Sequence, residues 1–119
     1  MTARDLLRIC EEAGPEYQLH INDFVDDFRR AEESSRGAMV AEGPTEPGRL
    51  SGLIAGVVSA LCREVGMAAP GWVETMYSPE PFFVLVARGF ALRLRLMLES
   101  PPAFRGRNVF VTEDYLRRA

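Results

Sequence analysis

The chain has 119 residues, 47% of them hydrophobic and 26% charged, which fits one globular domain with one core and excludes a disordered, fibrous or two-domain reading. A formal charge of −3 and a pI near 5.2 argue against a free-standing nucleic-acid binder, whose usual mark is a basic stripe. All 14 basic residues are arginine, a composition bias that gives the identity of any one arginine little weight and leaves its position as the signal.

Position is informative. Residues 1 to 48 carry 5 Arg against 11 acids, net −6, and residues 49 to 119 carry 9 Arg against 6 acids, net +3. Such a split suits a protein partner, because complementary potentials steer and orient association.

Thr2 is placed to cap a first helix, with Asp5 three residues on as the acidic half of a capping box and Leu6, Leu7, Ile9 and Cys10 as its apolar stripe. Gly14-Pro15 ends it. A second helix is predicted from Tyr17 to Ser34, with Ile21, Phe24, Val25, Phe28 and Ala31 at three- and four-residue steps. Its other face holds Asn22, Asp23, Asp26, Asp27, Arg30 and Glu33 and is acidic. Ser34 to Gly48 reads as a short turn of helix and a loop.

Leu50, Leu53, Ile54, Val57, Val58, Leu61, Cys62 and Val65 fit the helical apolar template without a gap, and Gly66 stands at the capping position beyond. This helix is the predicted core. Gly52, Ala55, Gly56, Ser59 and Ala60 make its second face small, for a neighbour within the monomer or across a dimer. Trp72 falls in a short helical turn, and Ser78-Pro79-Glu80-Pro81 is a break.

Phe82 to Leu98 mixes periods, since Leu92 to Leu96 alternates like a strand, but its length and its Leu, Arg and Met content predict a helix. Phe83, Phe90, Leu94 and Met97 then share one side, Arg88 and Arg95 another, and Arg93 lies near the apolar side. Pro101-Pro102 stops that helix, Asn108 to Val111 is extended, and Thr112 caps a last helical turn from Glu113 to Arg118. The fold class is therefore mainly α, one compact domain over residues 1–119 with four or five helices and one short extended segment near 108–111.

The chemistry-bearing inventory is sparse. His20 could pair with Asp23 or Asp27 as a general base, yet a solvent-facing histidine is the simpler reading. His20, Cys10 and Cys62 do not have zinc-ligand spacing, and no phosphate-binding, nucleophile-elbow or metalloprotease motif occurs. No enzyme activity, metal or cofactor is expected. The cysteines read as buried small hydrophobes in a reducing compartment. The first turns are charged and the apolar runs short, so a cytoplasmic chain without a membrane segment is expected. The aromatics Trp72, Tyr77, Phe82, Phe83, Phe90, Phe104 and Phe110 are read chiefly as core. Arg105, Arg107 and Asn108 sit on a proline-braced loop between Phe104 and Phe110, placed either to clamp an acidic residue such as those of the Asp23-Asp26-Asp27 face or to contact a partner.

The run Ser100-Pro-Pro-Ala-Phe-Arg-Gly-Arg-Asn-Val-Phe-Val, with the Leu-Arg-Arg-Ala ending, resembles the C-terminal signature of a poorly characterised actinobacterial family. The resemblance covers residues 70 to 119 best, through Pro70, Trp72, Phe82-Phe83 and the Ser100 to Phe110 motif. Where that family tends to have three consecutive basic residues, this chain has Arg105-Gly106-Arg107. The resemblance implies a small helical domain, often encoded beside a nucleotidyltransferase-like protein and read as its antitoxin. The charge split and the tail together predict the contact residues: the acidic face around Asp23, Asp26 and Asp27 covers a basic, nucleotide-binding surface of the partner, while Arg105 and Arg107, with Asn108, fix either the fold or the docking geometry. The alternative is a DNA-contacting, transcription-associated accessory domain using the arginines of the second half.

Overall fold

In the computed structural model, which describes residues 1–84 and 89–118, Thr2 opens the fold as predicted. Its hydroxyl accepts from the Asp5 N–H at 3.2 Å and its own N–H donates to the Asp5 carboxylate at 3.4 Å, a reciprocal capping box that starts α1, Ala3–Ala13. One 3-10 turn through Gly14–Glu16 leads into α2, Tyr17–Arg30. α1 buries Leu6 and Cys10, and α2 buries Ile21, Phe24, Val25 and Phe28.

α2 stops at Arg30 rather than running to Ser34. Ala31 turns extended, at ψ 153°, and the guanidinium of Arg36 donates to the Phe28 carbonyl at 2.9 Å and the Arg29 carbonyl at 2.8 Å. Carbonyls of the last turn have no i+4 partner once the chain turns extended, and a guanidinium fork supplies them with donors. Arg36 itself stands on α3, Glu33–Val40, the short helix expected in this stretch.

The predicted core helix is α4, Arg49–Glu64, and eight consecutive residues from Ser51 to Val58 are buried. Gly66, at φ 73°, ends it, and the Met67 N–H donates back to the Cys62 carbonyl at 2.9 Å. Both cysteines are buried and free. The small second face packs inside the monomer. A Cβ on Gly56 would lie 2.6 Å from the Phe104 ring, and one on Gly52 would lie 2.8 Å from the Ser78 backbone nitrogen. Trp72 packs from its 3-10 turn against Gly43, donating from the indole N–H to the Val40 carbonyl at 2.8 Å.

The helix predicted over Phe82 to Leu98 is two elements. Phe82–Phe83 forms a strand, β1, and the helix α5 spans only Phe90–Glu99. Leu85 to Arg88 lie outside the described residues, as does the expected pairing of Arg88 with Arg95 on one face. After α6, Pro102–Arg105, comes β2, Val109–Phe110, within the stretch predicted to be extended, and it pairs parallel with β1 in the register Phe82 with Val109 and Phe83 with Phe110. The tail makes this pairing: the Asn108 carbonyl accepts from the Phe82 N–H at 3.0 Å and the Phe110 carbonyl from the Val84 N–H at 3.1 Å. Periodicity within 82–98 carries no information about a partner strand some 25 residues later.

Where the sequence predicts a last helical turn from Glu113 to Arg118, Glu113 to Leu116 forms non-helical turns, fixed by Tyr115 N–H to the Thr112 carbonyl at 3.1 Å and Arg117 N–H to the Asp114 carbonyl at 2.9 Å. The result is a mainly helical, compact bundle around α4 with a two-stranded ribbon at one side. No described helix is long and apolar enough to cross a membrane.

Candidate partner-binding surface

The tail signature is spent largely on folding. Ser100 is buried, and its hydroxyl accepts from the Val111 N–H at 2.8 Å while reaching the Leu96 carbonyl at 2.6 Å, so it joins the end of α5 to the residue after β2. Pro101-Pro102 starts α6, which drives Phe104 against the bare backbone of Gly56. Arg107 donates from Nε to the Val73 carbonyl at 3.0 Å and from Nη1 to the Ala103 carbonyl at 2.6 Å. Its half-burial pushes the guanidinium below its ordinary value. Asn108 adopts the left-handed region at φ 63° and donates from Nδ2 to the Ser78 carbonyl at 3.1 Å, while the Ser78 N–H returns to the Arg107 carbonyl at 2.9 Å. Asparagine is among the few side-chain-bearing residues that tolerate that conformation.

Arg107 is thus an intramolecular clamp, but on backbone carbonyls rather than on an acidic residue. Arg105 is exposed and lies 3.3 Å from the Leu98 carbonyl at the end of α5. The acidic face of α2 is gripped by other arginines. Arg118 bonds both oxygens of Asp26 at 3.1 and 3.2 Å, and Arg30 bonds Asp27 at 2.9 Å, while Asp23 stays exposed. The Arg118 hydrogen bonds hold the Asp26 carboxyl below its ordinary value. Arg29 grips Glu64 with two bonds at 2.8 and 2.9 Å and donates to the Leu116 carbonyl at 2.7 Å. Sequence reading missed Arg29 and Arg118 as latches because their partners lie 35 and 92 residues away.

Among the described residues, exposed large apolar side chains concentrate on α5. Its inner side rests on a small satellite cluster of Leu96, Phe110 and Phe83, with Arg93 over the Phe83 ring at 5.5 Å. Among the described residues no other helix makes an extended contact along it. Its outer side carries Phe90, Leu94, Met97 and Leu98, the i, i+4, i+7, i+8 set of one helix face. Those four are 80, 42, 41 and 68% exposed. Phe90 and Tyr77 therefore depart from the expected aromatic core, whereas Phe104 and Phe110 are buried and Trp72, Phe82 and Phe83 half-buried. Arg93 and Arg95 flank the stripe on either side, Arg95 bound to Glu99 at 3.0 Å. The sequence did put Phe90, Leu94 and Met97 on one side, but which side faced the core depended on where β1 ended.

Beside α5 opens a cleft of about 1190 Å³ between α2, β1 and the C-terminal turns. Four arginines line it, Arg49, Arg93, Arg117 and Arg118, against the carboxylates of Glu80 and Asp114. Tyr17, Phe82, Phe83 and Tyr115 supply its aromatic walls. Among the described residues no group of three or more His, Cys, Asp or Glu is arranged to hold a metal. Burial raises the Cys10 thiol to about 11, so that thiol stays protonated at neutral pH and is not a nucleophile. Comparison with protein-family models, with curated proteins and with solved structures returned no match.

Proposed function

We propose that this chain is a protein-binding helical domain that docks through α5 and neutralises a nucleotidyltransferase-like toxin. The observation that carries the docking half is the outer stripe of α5, where Phe90, Leu94, Met97 and Leu98 face water although the domain already has a filled core. Exposed apolar side chains aligned on one helix face mark an interaction site, and an amphipathic helix offering anchors at i, i+4 and i+7 is a recurrent way to enter a partner's groove. The identity of the partner comes from the resemblance of the Ser100 to Phe110 run. In this reading the tail arginine Arg107 serves docking indirectly, by tying α6 to the 3-10 turn at Val73 just before the chain enters β2.

Co-expression with the product of the adjacent gene, which the resemblance leads one to expect is nucleotidyltransferase-like, tests both halves. The wild-type chain should co-purify with that protein and restore growth. The double variant Leu94→Glu, Leu98→Glu should keep its circular dichroism spectrum and lose both properties. A wild-type chain that neither co-purifies nor rescues growth removes the neutralising role, and a double variant that still co-purifies removes α5 as the docking element.

The alternative, a DNA-contacting accessory domain, draws on the arginines of the cleft. Phosphate contacts would make its DNA affinity fall steeply with added salt.

A further inference from the structure

α5 is joined to the rest of the fold unevenly along its length. Its first turn starts at Gly89, at φ 92°, a residue with no side chain to cap the helix. Midway, Leu96 is the buried residue of α5 and seats with Phe83 and Phe110 in the satellite cluster. At the far end stands Ser100, only 2% exposed. Its N–H donates to the Leu96 carbonyl at 2.9 Å, and its hydroxyl accepts from the Val111 N–H at 2.8 Å. The hydroxyl proton has two carbonyls within reach, Leu96 at 2.6 Å and Val111 at 2.9 Å. One oxygen atom therefore ties the end of α5 to the residue that follows β2.

We infer that Ser100 is the positioning residue of the docking helix: its hydroxyl sets the roll of α5 about its own axis, so that the apolar stripe faces the partner and not the ribbon. The inference rests on the protein-binding reading above. Leu96 and Ser100 are four residues apart and lie on one side of the helix, with Phe90, Leu94 and Leu98 on the other. A single apolar peg leaves a helix free to roll, because apolar contact is non-directional. A hydrogen bond has a preferred direction, so the second attachment fixes the roll. It does so against a pull. Phe90 and Leu98 are 80 and 68% exposed, and rolling them onto the ribbon would remove apolar surface from water. The joint resists because it is buried: breaking it would strand the Val111 N–H away from water.

The test reads the roll directly. Ser100→Ala keeps the backbone bond to Leu96 and removes the hydroxyl, and Ser100→Thr restores a hydroxyl. Methyl NMR of the full chain with a soluble gadolinium chelate should show Leu94, Met97 and Leu98 strongly relaxed in the wild type and Leu96 shielded. In Ser100→Ala, at a temperature where circular dichroism shows it folded, that contrast should narrow, and Ser100→Thr should widen it again. Should Ser100→Ala unfold, Ser100→Cys, with its weaker acceptor, gives the same comparison. An unchanged contrast overturns the inference, since the hydroxyl would then stabilise without positioning. Leu61→Ala, fully buried in α4 and no part of the joint, controls for stability alone. An equal narrowing there also overturns the inference, in favour of general loosening.

Co-purification with the adjacent gene product then reads the consequence. With about one molecule in ten holding the outward pose, Ser100→Ala should capture the partner roughly tenfold more weakly, and folded Leu61→Ala should capture it as the wild type does. Undiminished capture by Ser100→Ala, with Leu94→Glu, Leu98→Glu still abolishing it, sinks the positioning role and leaves docking through α5 intact. A wild-type chain that captures nothing removes the docking reading, and with it the part Ser100 plays in docking.

Discussion

α4 and α5 are both apolar helices, yet α4 is enclosed on nearly every side and α5 on one. The difference lies in what stands between the large side chains. In α4 the intervening residues include Gly52, Ala55 and Gly56, so Phe104 and the Ser78 backbone can approach the helix closely from a second direction. In α5 the intervening residues include Arg93 and Arg95, whose charged guanidiniums are costly to take out of water. Hydrophobic content alone does not decide burial. The size and charge of the residues between decide how many neighbours a helix can take.

The sharpest test of that contrast is a matched pair of truncations. Phe104→Ala empties the contact with Gly56 in a fully buried site and should cost about 3–5 kcal/mol of stability by urea unfolding. Phe90→Ala removes a ring that is 80% exposed and should stay within about 0.5 kcal/mol. Comparable losses in the two variants would mean that α5 is a core element after all, and the contrast would fail.

A second prediction concerns the joint that holds α5 against the ribbon. Ser100→Ala leaves the buried Val111 N–H without its acceptor and should cost about 1–3 kcal/mol, because a desolvated donor forfeits its bond to water as well. Ser100→Thr keeps the hydroxyl and should recover part of the loss. Thermal unfolding of the two variants separates the hydrogen bond from the fit of the side chain.

How much of this could be read from the sequence depends on the range of the interaction that decides each element. The capping box of Thr2 and Asp5 and the apolar ladder of α4 are set by residues within a few positions of one another, and the structure has them as read. β1 and the carbonyl clamp of Arg107 depend on partners 27 and 34 residues distant, and neither leaves a local period to find. The loop carrying Arg105, Arg107 and Asn108 was legible as a fixed feature. Its use was not, since a guanidinium satisfied by carbonyls has the same sequence as one awaiting a carboxylate. The α5 stripe was legible as a stripe, and its exposure was not, because that follows from the chain leaving the helix at Phe82–Phe83 to pair with the tail.

The smallest expected effect touches the latch by which Arg29 ties α2 to Glu64 at the end of α4 and to the Leu116 carbonyl. The Arg29 hydrogen bonds hold the Glu64 carboxyl below its ordinary value of 4.5, so the folded state favours the carboxylate. A depressed folded value adds stability that is present above the unfolded value near 4.5 and is lost as pH falls through the folded value, so the latch is closed at neutral pH and opens in acid. Glu64 is nearly half exposed, which lets water screen the pair, and the contribution should stay below ~1 kcal/mol. Carboxyl carbon shifts followed by NMR from pH 6 to pH 2.5 should place the Glu64 midpoint below 4.5 in the wild type and return it towards 4.5 in Arg29→Gln. The Leu116 resonances should move with the same midpoint, since one guanidinium holds both groups; if they follow a different titration, the C-terminal turns are anchored by something other than Arg29.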